Sequence, residues 1–325
     1  MTPPSQPQVF TAVDMGSNTI KVRTWEITAG SRPRILWEQR FPTRLARGTF
    51  RSGAFTPEIM AAALECLREI RARSDSLRAS VIRAIATAAM RQASNAESLR
   101  QSIAEETGIE IEVISPEREG ELTAKGALWE SAQLGDTLSD RSAVILDIGG
   151  GSAELTHIET DSGGTPSALR TISLPLGAVR LTENFLPDEP PTPEQLERLE
   201  QHIGAVSEEA GVKPTPAHLI GCGGTLVSVG LAVALKEGKL SGDHQGPIHP
   251  LSLTALEHLL GEMLPLSIDS RAELFGLERQ RAEVVIAGGK VLAGLLRALG
   301  KREIQISRAG NREGLLSEHL LSPHA

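Results

Sequence analysis

The chain has 325 residues, with 33 Lys and Arg against 41 Asp and Glu, a net charge of −8. That length suggests roughly two domains, and the 40% hydrophobic content supplies a core built mainly from Leu, Ile, Val and Ala, since aromatic residues are 3% and Tyr is absent. The acidic balance argues against a surface that grips nucleic acid throughout, although a local basic channel is compatible with it.

Cys66 and Cys222 lie far apart and form no metal-ligand spacing. The opening MTPPSQPQVF has neither the basic nor the apolar region of a signal peptide, so a cytoplasmic protein is expected. The uncharged run from Leu219 to Leu235 is shorter than the ~20 residues of a membrane span and is interrupted by glycines. It reads as buried strand, turn and helix, and no membrane partner is expected.

Val9 to Val13 is a strand candidate, followed by Asp14-Met15-Gly16-Ser17-Asn18-Thr19 and a second strand candidate from Ile20 to Ile27. Arg34 to Phe41 looks like a further strand of that sheet. Arg40, Arg44, Arg47 and Arg51 run from its end into a Gly-containing loop, which is either solvated surface or a guide for a polyanion. Thr56-Pro57-Glu58 opens a helix with an N-cap, Pro at the first position and an acid in the first turn.

Val81 to Ala86 reads as a strand leading into Thr87-Ala88-Ala89-Met90-Arg91. A helix from Ala96 to Thr107 stops at Gly108, and Ile109 to Ile114 alternates as a short strand. Ser115 and Pro116 lead into a helix from about Leu122 to Gln133; as N-cap and first helical residue they place Glu119 in its first turn. A carboxylate there can simply complement the helix dipole, which is the ordinary explanation for Glu117 and Glu119.

After a polar connection, 135–141, the first loop recurs. Ala143 to Leu146 reads as a strand, Gly149, Gly150 and Gly151 as a turn, and Glu154 to Ile158 as the returning strand. Three glycines have no Cβ to hold a ligand off and can take positive φ, so successive N–H groups can converge on one anion. Asp147 and Glu154 flank this phosphate-sized nest, a combination suited to phosphate plus a hard divalent cation such as Mg2+. One glycine hairpin alone is an ordinary turn. Two copies, aligned on Asp14 and Asp147, suggest duplicated α/β domains that clamp a polyphosphate with a metal near the two aspartates. Neither a Walker A pattern nor a GxGxxG after a strand is present.

Further on, Thr171 to Leu176 continues a sheet, and Thr192-Pro193-Glu194-Gln195 is a capping box opening a helix to about Ala210. Gly221 to Thr225 follows a strand; it serves either a ligand or close helix-on-sheet packing. Glu283 to Leu299 should be a buried helix, Ile304 and Ile306 mark the last strand, and Arg312 to Leu321 a closing helix. His244 and His249 have no acidic or cysteine partner at ligand spacing.

Together these segments resemble the exopolyphosphatase and guanosine pentaphosphate phosphatase family, in its short form. The likeness is carried, in order, by Asp14 to Thr19, Ala86 to Arg91 with Asn95, Ile114-Ser115 leading to Glu119-Gly120, Asp147 to Glu154, Leu174 to Thr182, Gly221 to Thr225 and Arg312 to Leu316. It implies two actin-like (ribonuclease-H-like) α/β domains with the active site in the interdomain cleft. The expected division is 1–124 and 125–311, with the closing helix 312–325 returning toward the first domain.

By that likeness Glu119 is the base that activates water, and Asp14, Asp147 and Glu154 are metal-associated carboxylates for Mg2+ or another divalent cation. Ser17, Asn18, Thr19, Arg91, Gly149, Gly150, Gly151 and Ser152 bind the phosphates. The resemblance implies polyphosphate or a guanosine polyphosphate as substrate, and a homodimer. Glu121, Glu283 and Asn311 depart from the family pattern. Two other readings stand beside it: a kinase of the same wider fold, which needs an acceptor pocket, and a non-catalytic ATP-binding filament or scaffold protein, which needs no base at Glu119.

Overall fold

The computed structural model describes residues 7–134, 142–160, 166–239 and 248–321; the polar connection 135–141, the loop carrying His244 and the side chain of His249 lie outside the description. The chain divides into two units, Met1–Ser115 with Asn311–Ala325, and Pro116–Gly310. The first contains β1 (Gln8–Met15), β2 (Ile20–Ile27), β3 (Arg34–Phe41), α1 (Thr49–Ser52), α2 (Pro57–Ser76), β4 (Val81–Ala86), α3 (Ala88–Gln92), α4 (Ala96–Thr107) and β5 (Ile111–Val113). The second begins with α5 (Pro116–Gln133), β6 (Ser142–Ile148), β7 (Ala153–Thr160), β8 (Pro166–Leu174), α6 (Ala178–Phe185), α7 (Pro193–Glu209) and β9 (His218–Cys222). It continues through α8 (Gly223–Lys236), β10 (Ile248–Ser252), α9 (Leu253–Met263), α10 (Ile268–Phe275), α11 (Arg279–Ala282), α12 (Val285–Ala298) and β11 (Glu303–Ile306). The last helix, α13 (Asn311–Leu321), belongs to the first unit.

The two sheets repeat one plan. The first has strand order β3-β2-β1-β4-β5, with β2 antiparallel to both neighbours and β1, β4 and β5 parallel. In the second, β8-β7-β6-β9-β11 reproduces that order and those directions, and β10 adds an antiparallel edge. The fold is α/β with two actin-like units, as expected.

Strand alternation sorts the second sheet into two faces. Val144, Leu146 and Leu155 enter the large core with α8, α9 and α12, whereas Ile145 and Ile158 enter a smaller cluster with Ala124 and Ala127 of α5. Asp147 and Glu154 keep step with Ile145 and Ile158, so both carboxylates project on the α5 face.

The break between the units falls at Ser115, so Pro116 to Ala124 fold with the second unit and carry Glu119 with them. The helix itself starts at Pro116, not near Leu122, because Pro fits a first turn whose N–H groups have no helical partner. α5 packs on β6, β7 and β8, and Gly120 makes that approach possible: a Cβ there would lie 2.5 Å from both Thr156 Oγ1 and Thr171 Cγ2. The buried helix expected from Glu283 to Leu299 is α12, Val285–Ala298, and the short α11 precedes it.

α13 packs on β1. Buried Arg312 reaches Glu38 at 3.1 Å and the Val22 carbonyl at 3.2 Å, while Arg23 donates to Glu313 and Glu38, each at 2.7 Å. Burial pushes the Glu38 carboxyl up, but the charges and hydrogen bonds of Arg312 and Arg23 reverse this and hold it below its ordinary value. His319 stacks on Phe10 with ring centroids 4.5 Å apart.

Two outcomes follow. Gly120→Ala gains roughly 1 kcal/mol of helix propensity but overpacks at a cost of about 1–3 kcal/mol, so thermal unfolding should show a Tm lower by up to several degrees; an unchanged or raised Tm would contradict the close approach. Because the Glu38 pKa is lowered, its contribution to docking α13 is present above its ordinary value of 4.5 and is lost as pH falls through the lowered one. Hydrogen exchange in α13 should therefore accelerate only below that ordinary value, and acceleration already at pH 6 would contradict the ion-pair network.

Candidate active site

In the second unit the site is built around a four-residue turn. Ile148 pairs with Ala153, leaving Gly149 to Ser152 as the connection, and Asp147 stands directly opposite Glu154. All four turn carbonyls are engaged. Gly149 N donates to Ser152 O at 3.0 Å, Ala178 N to Gly149 O at 2.9 Å, Val179 N and Arg180 N to Gly150 O at 2.9 and 3.1 Å, and Arg180 Nε to Gly151 O at 2.9 Å.

Gly177 lets the start of α6 press this closely, since a Cβ there would lie 2.2 Å from the Gly151 carbonyl carbon. The N–H groups of Gly150, Gly151 and Ser152 donate to no described residue. Partly or fully buried donors in that condition call for an acceptor, and an anion meets the need.

The carboxylates beside the turn are held by short polar side chains. Ser173 Oγ donates to Glu154 Oε1 at 2.8 Å, and Thr123 Oγ1 to Asp147 Oδ2 at 3.2 Å. Glu154 is 1% exposed and Glu119 7%. Glu119 lies four residues before Thr123, one turn away on the same face of α5, whereas Glu117 is exposed. Glu121 is engaged by Arg118 at 2.8 Å and Lys125 at 2.6 Å, so its charge is opposed within α5.

The glycines of Gly221 to Thr225 divide their roles. Gly221 makes room for Leu226 and Ile304, which is packing. A Cβ on Gly223 would lie 2.1 Å from Asp147 Oδ1, and one on Gly224 would lie 2.6 Å from the Arg281 guanidinium. The first turn of α8 thus abuts Asp147 with its positive dipole end.

In the first unit Met15 pairs with Ile20, so Gly16 to Thr19 form a turn of the same length, and Asp14 stands opposite Lys21 at 3.7 Å. Here too the backbone is engaged from outside: Ala46 N donates to Ser17 O at 2.7 Å and Arg44 N to Asn18 O at 3.0 Å. Asp14 is 6% exposed, and its Oδ1 accepts no hydrogen bond from the described residues. Thr87 N donates to Met15 O at 3.3 Å, which starts α3 beside this turn; Arg91, at the end of α3, donates from Nη1 to the Ile114 carbonyl at 2.9 Å.

The structure thus gathers Glu119, Asp147, Gly149, Gly150, Gly151, Ser152 and Glu154 in the second unit, and Asp14, Ser17, Asn18, Thr19 and Arg91 in the first. Sequence reasoning did not single out Thr123, Ser173, Arg180, Arg281 or Lys21. Lys21 was recoverable, because it follows Asp14 by the same seven residues that separate Glu154 from Asp147. Cavities of about 590 and 500 Å3 in the second unit are lined by residues of α7 and α12 and by the opposite face of β7 and β8; neither includes a residue of this set.

Asp147 and Glu154 both offer carboxylate oxygens, directly opposite each other on neighbouring strands, an arrangement that suits a cation. Among the described residues no group of three or more His, Cys, Asp or Glu could hold a metal ion by itself. Mg2+ does not require one, since it takes one or two carboxylates and completes its shell with water and phosphate oxygens.

A family model, the Ppx/GppA phosphatase family, matches residues 25–323. Exopolyphosphatase 1 of Mycobacterium tuberculosis is 30% identical over 319 residues, covering 95% of this chain and 87% of that protein. The Mycobacterium leprae protein of the same name is 27% identical, covering 95% and 88%. Among solved structures, an exopolyphosphatase from Cytophaga hutchinsonii superposes with a TM-score of 0.85 at 26% identity, covering 96% of this chain and 98% of that one. The Aquifex aeolicus member of the Ppx/GppA family gives 0.76 at 26% identity, covering 97% and 98%. With its two repeated sheets, its paired turns and a match over nearly its whole length, the chain belongs to the Ppx/GppA phosphatase family.

Proposed function

We propose that the protein is a phosphohydrolase that releases terminal phosphate from inorganic polyphosphate by attack of a water that Glu119 deprotonates. The observation that carries this reading is the turn from Gly149 to Ser152, with every carbonyl engaged and three N–H groups open to an anion, set between Asp147 and Glu154. The substrate class comes from the relatives named exopolyphosphatase. Guanosine pentaphosphate, which ends in the same kind of phosphoanhydride, is the second substrate to test.

Phosphoryl transfer to water needs neutralised phosphate oxygens, an in-line water and a proton acceptor. The N–H groups of Gly150, Gly151 and Ser152 bind and orient the phosphoryl oxygens; within the first unit Ser17, Asn18, Thr19 and Arg91 are a second set of donors suited to phosphate. Bound at Asp147 and Glu154, Mg2+ or another divalent cation would supply charge neutralisation for the phosphate oxygens. Carboxylates engaged in that way are poor bases, which leaves Glu119 to take the proton from the water. The kinase and scaffold readings are not favoured for a member of a phosphatase family.

Glu119→Gln keeps the shape and removes the base. With polyphosphate and Mg2+ saturating, kcat should fall by roughly 10² to 10⁴-fold with KM little changed. Near-normal turnover would remove Glu119 from the role of base. Asp147→Asn should instead move the Mg2+ activation curve to higher concentration while leaving the protein folded; an unchanged curve would place the cation elsewhere.

A further inference from the structure

The direction in which the turn from Gly149 to Ser152 aims its N–H groups is decided by its carbonyls. A peptide unit is planar, and in the trans form its C=O and N–H point opposite ways. Fixing one carbonyl therefore fixes the N–H of the residue that follows. Gly149 O accepts from Ala178 N, Gly150 O from Val179 N and Arg180 N, and Gly151 O from Arg180 Nε. Every one of these donors belongs to the start of α6, so the N–H groups of Gly150, Gly151 and Ser152 are turned away from that helix together.

The three peptides are not held in the same way. Those ending at Gly150 and Gly151 are held by main-chain donors, which α6 supplies whatever its side chains are. The Gly151–Ser152 peptide is held by a side chain, through Arg180 Nε at 2.9 Å. Gly151 has no Cβ to restrict its rotation, so without that donor the plane is free to turn and take the Ser152 N–H with it. Burial lowers the Arg180 guanidinium below its ordinary value, so its position here carries a desolvation cost.

The first unit fixes the corresponding carbonyl by other means. Aligned on Asp14 and Asp147, Asn18 takes the place of Gly151, and Asn18 O accepts from Arg44 N at 3.0 Å. Arg44 sits at φ 51°, a left-handed conformation that costs a side-chain-bearing residue energy and persists only where surrounding contacts hold it. One copy uses a strained backbone and the other a half-buried guanidinium. What the two arrangements share is the orientation of the peptide.

We infer that Arg180 is a positioning residue for phosphate: its side chain sets the Gly151–Ser152 peptide so that the Ser152 N–H joins those of Gly150 and Gly151 on the terminal phosphoryl group. The inference rests on the polyphosphate-hydrolase reading and deepens it, by naming what aims one of the three donors. Arg180→Gln keeps the main-chain bonds of α6 to Gly149 O and Gly150 O, and so removes the aim of one donor while leaving two.

The test follows backbone amides by NMR as orthophosphate is added at constant Mg2+. A new hydrogen bond to phosphate moves an amide proton downfield, so each donor reports for itself. In the parent protein Gly150, Gly151 and Ser152 should all shift. In Arg180→Gln the Gly150 and Gly151 shifts should persist and that of Ser152 should be lost, with Kd for orthophosphate raised by about tenfold, the worth of one hydrogen bond. Turnover of polyphosphate should fall by roughly 10- to 10²-fold, less than when an oxyanion donor is deleted outright, because the N–H remains on the chain. If Gln unfolds the turn, Arg180→Lys takes its place: it keeps the stem and the charge but not the planar fork, and the Ser152 shift should weaken relative to the other two. Equal weakening at all three amides in a folded variant, which is what mere support of the turn would give, or a Ser152 shift equal to the parent's, would overturn the aiming role. Phosphate that binds the parent without moving any amide of this turn would contradict the anion-binding reading itself, and the role of Arg180 with it.

Discussion

The structure is arranged around carboxylates taken out of water. Asp14, Glu119 and Glu154 are all buried, and Asp147 faces Glu154 directly across two hydrogen-bonded strands. Removing such groups from water costs several kcal/mol per ion unless charge or hydrogen bonds compensate. The protein supplies part of that compensation through Ser173, Thr123 and the first turn of α8. Beside this pair of carboxylates lie three N–H groups that donate to no described residue, an environment suited to a divalent cation and a phosphate arriving together. The glycines at 120, 177 and 223 serve this arrangement by admitting a helix, a turn and a carboxylate to distances that a Cβ would forbid.

Duplication explains how one chain makes two such turns, and divergence explains why they are not equivalent. The position opposite the strand-end aspartate is Lys21 in one copy and Glu154 in the other. The first turn therefore has a cation on its flank and continues into a basic segment, while the second has a carboxylate and collects Glu119 from α5. Helix exchange completes the pattern: α5 follows the first sheet and packs on the second, and α13 follows the second and packs on the first. Glu119 consequently reaches the second turn's sheet although its sequence neighbours form the last strand of the first.

Most of this was legible where local chemistry decides. Ile20–Ile27, Arg34–Phe41 and Val81–Ala86 are strands with the limits read from alternation, and Thr192 with Gln195 forms the capping box its spacing announced. The repeated Asp-x-Gly loop disclosed the duplication. What was not legible depends on contacts distant in sequence. Arg180 and Gly177 matter because α6 closes on a turn some thirty residues earlier, and Arg281 because α11 lies against Gly224. The extent of α5 was misjudged because Glu117 to Glu121 are polar and Gly120 is a poor helix former; tertiary packing of Gly120 on Thr156 and Thr171 outweighs that local preference.

The central claim is that water, not a hydroxyl acceptor, takes the terminal phosphoryl group. Hydrolysis of long-chain polyphosphate in 18O-enriched water, followed by 31P NMR, tests it most directly, since an oxygen from water shifts the phosphorus resonance of the group it joins. The account predicts orthophosphate as the first and continuing product, each molecule carrying one solvent oxygen, with no early accumulation of shorter oligomers. Orthophosphate without solvent oxygen, or internal cleavage into oligomers from the outset, would contradict it.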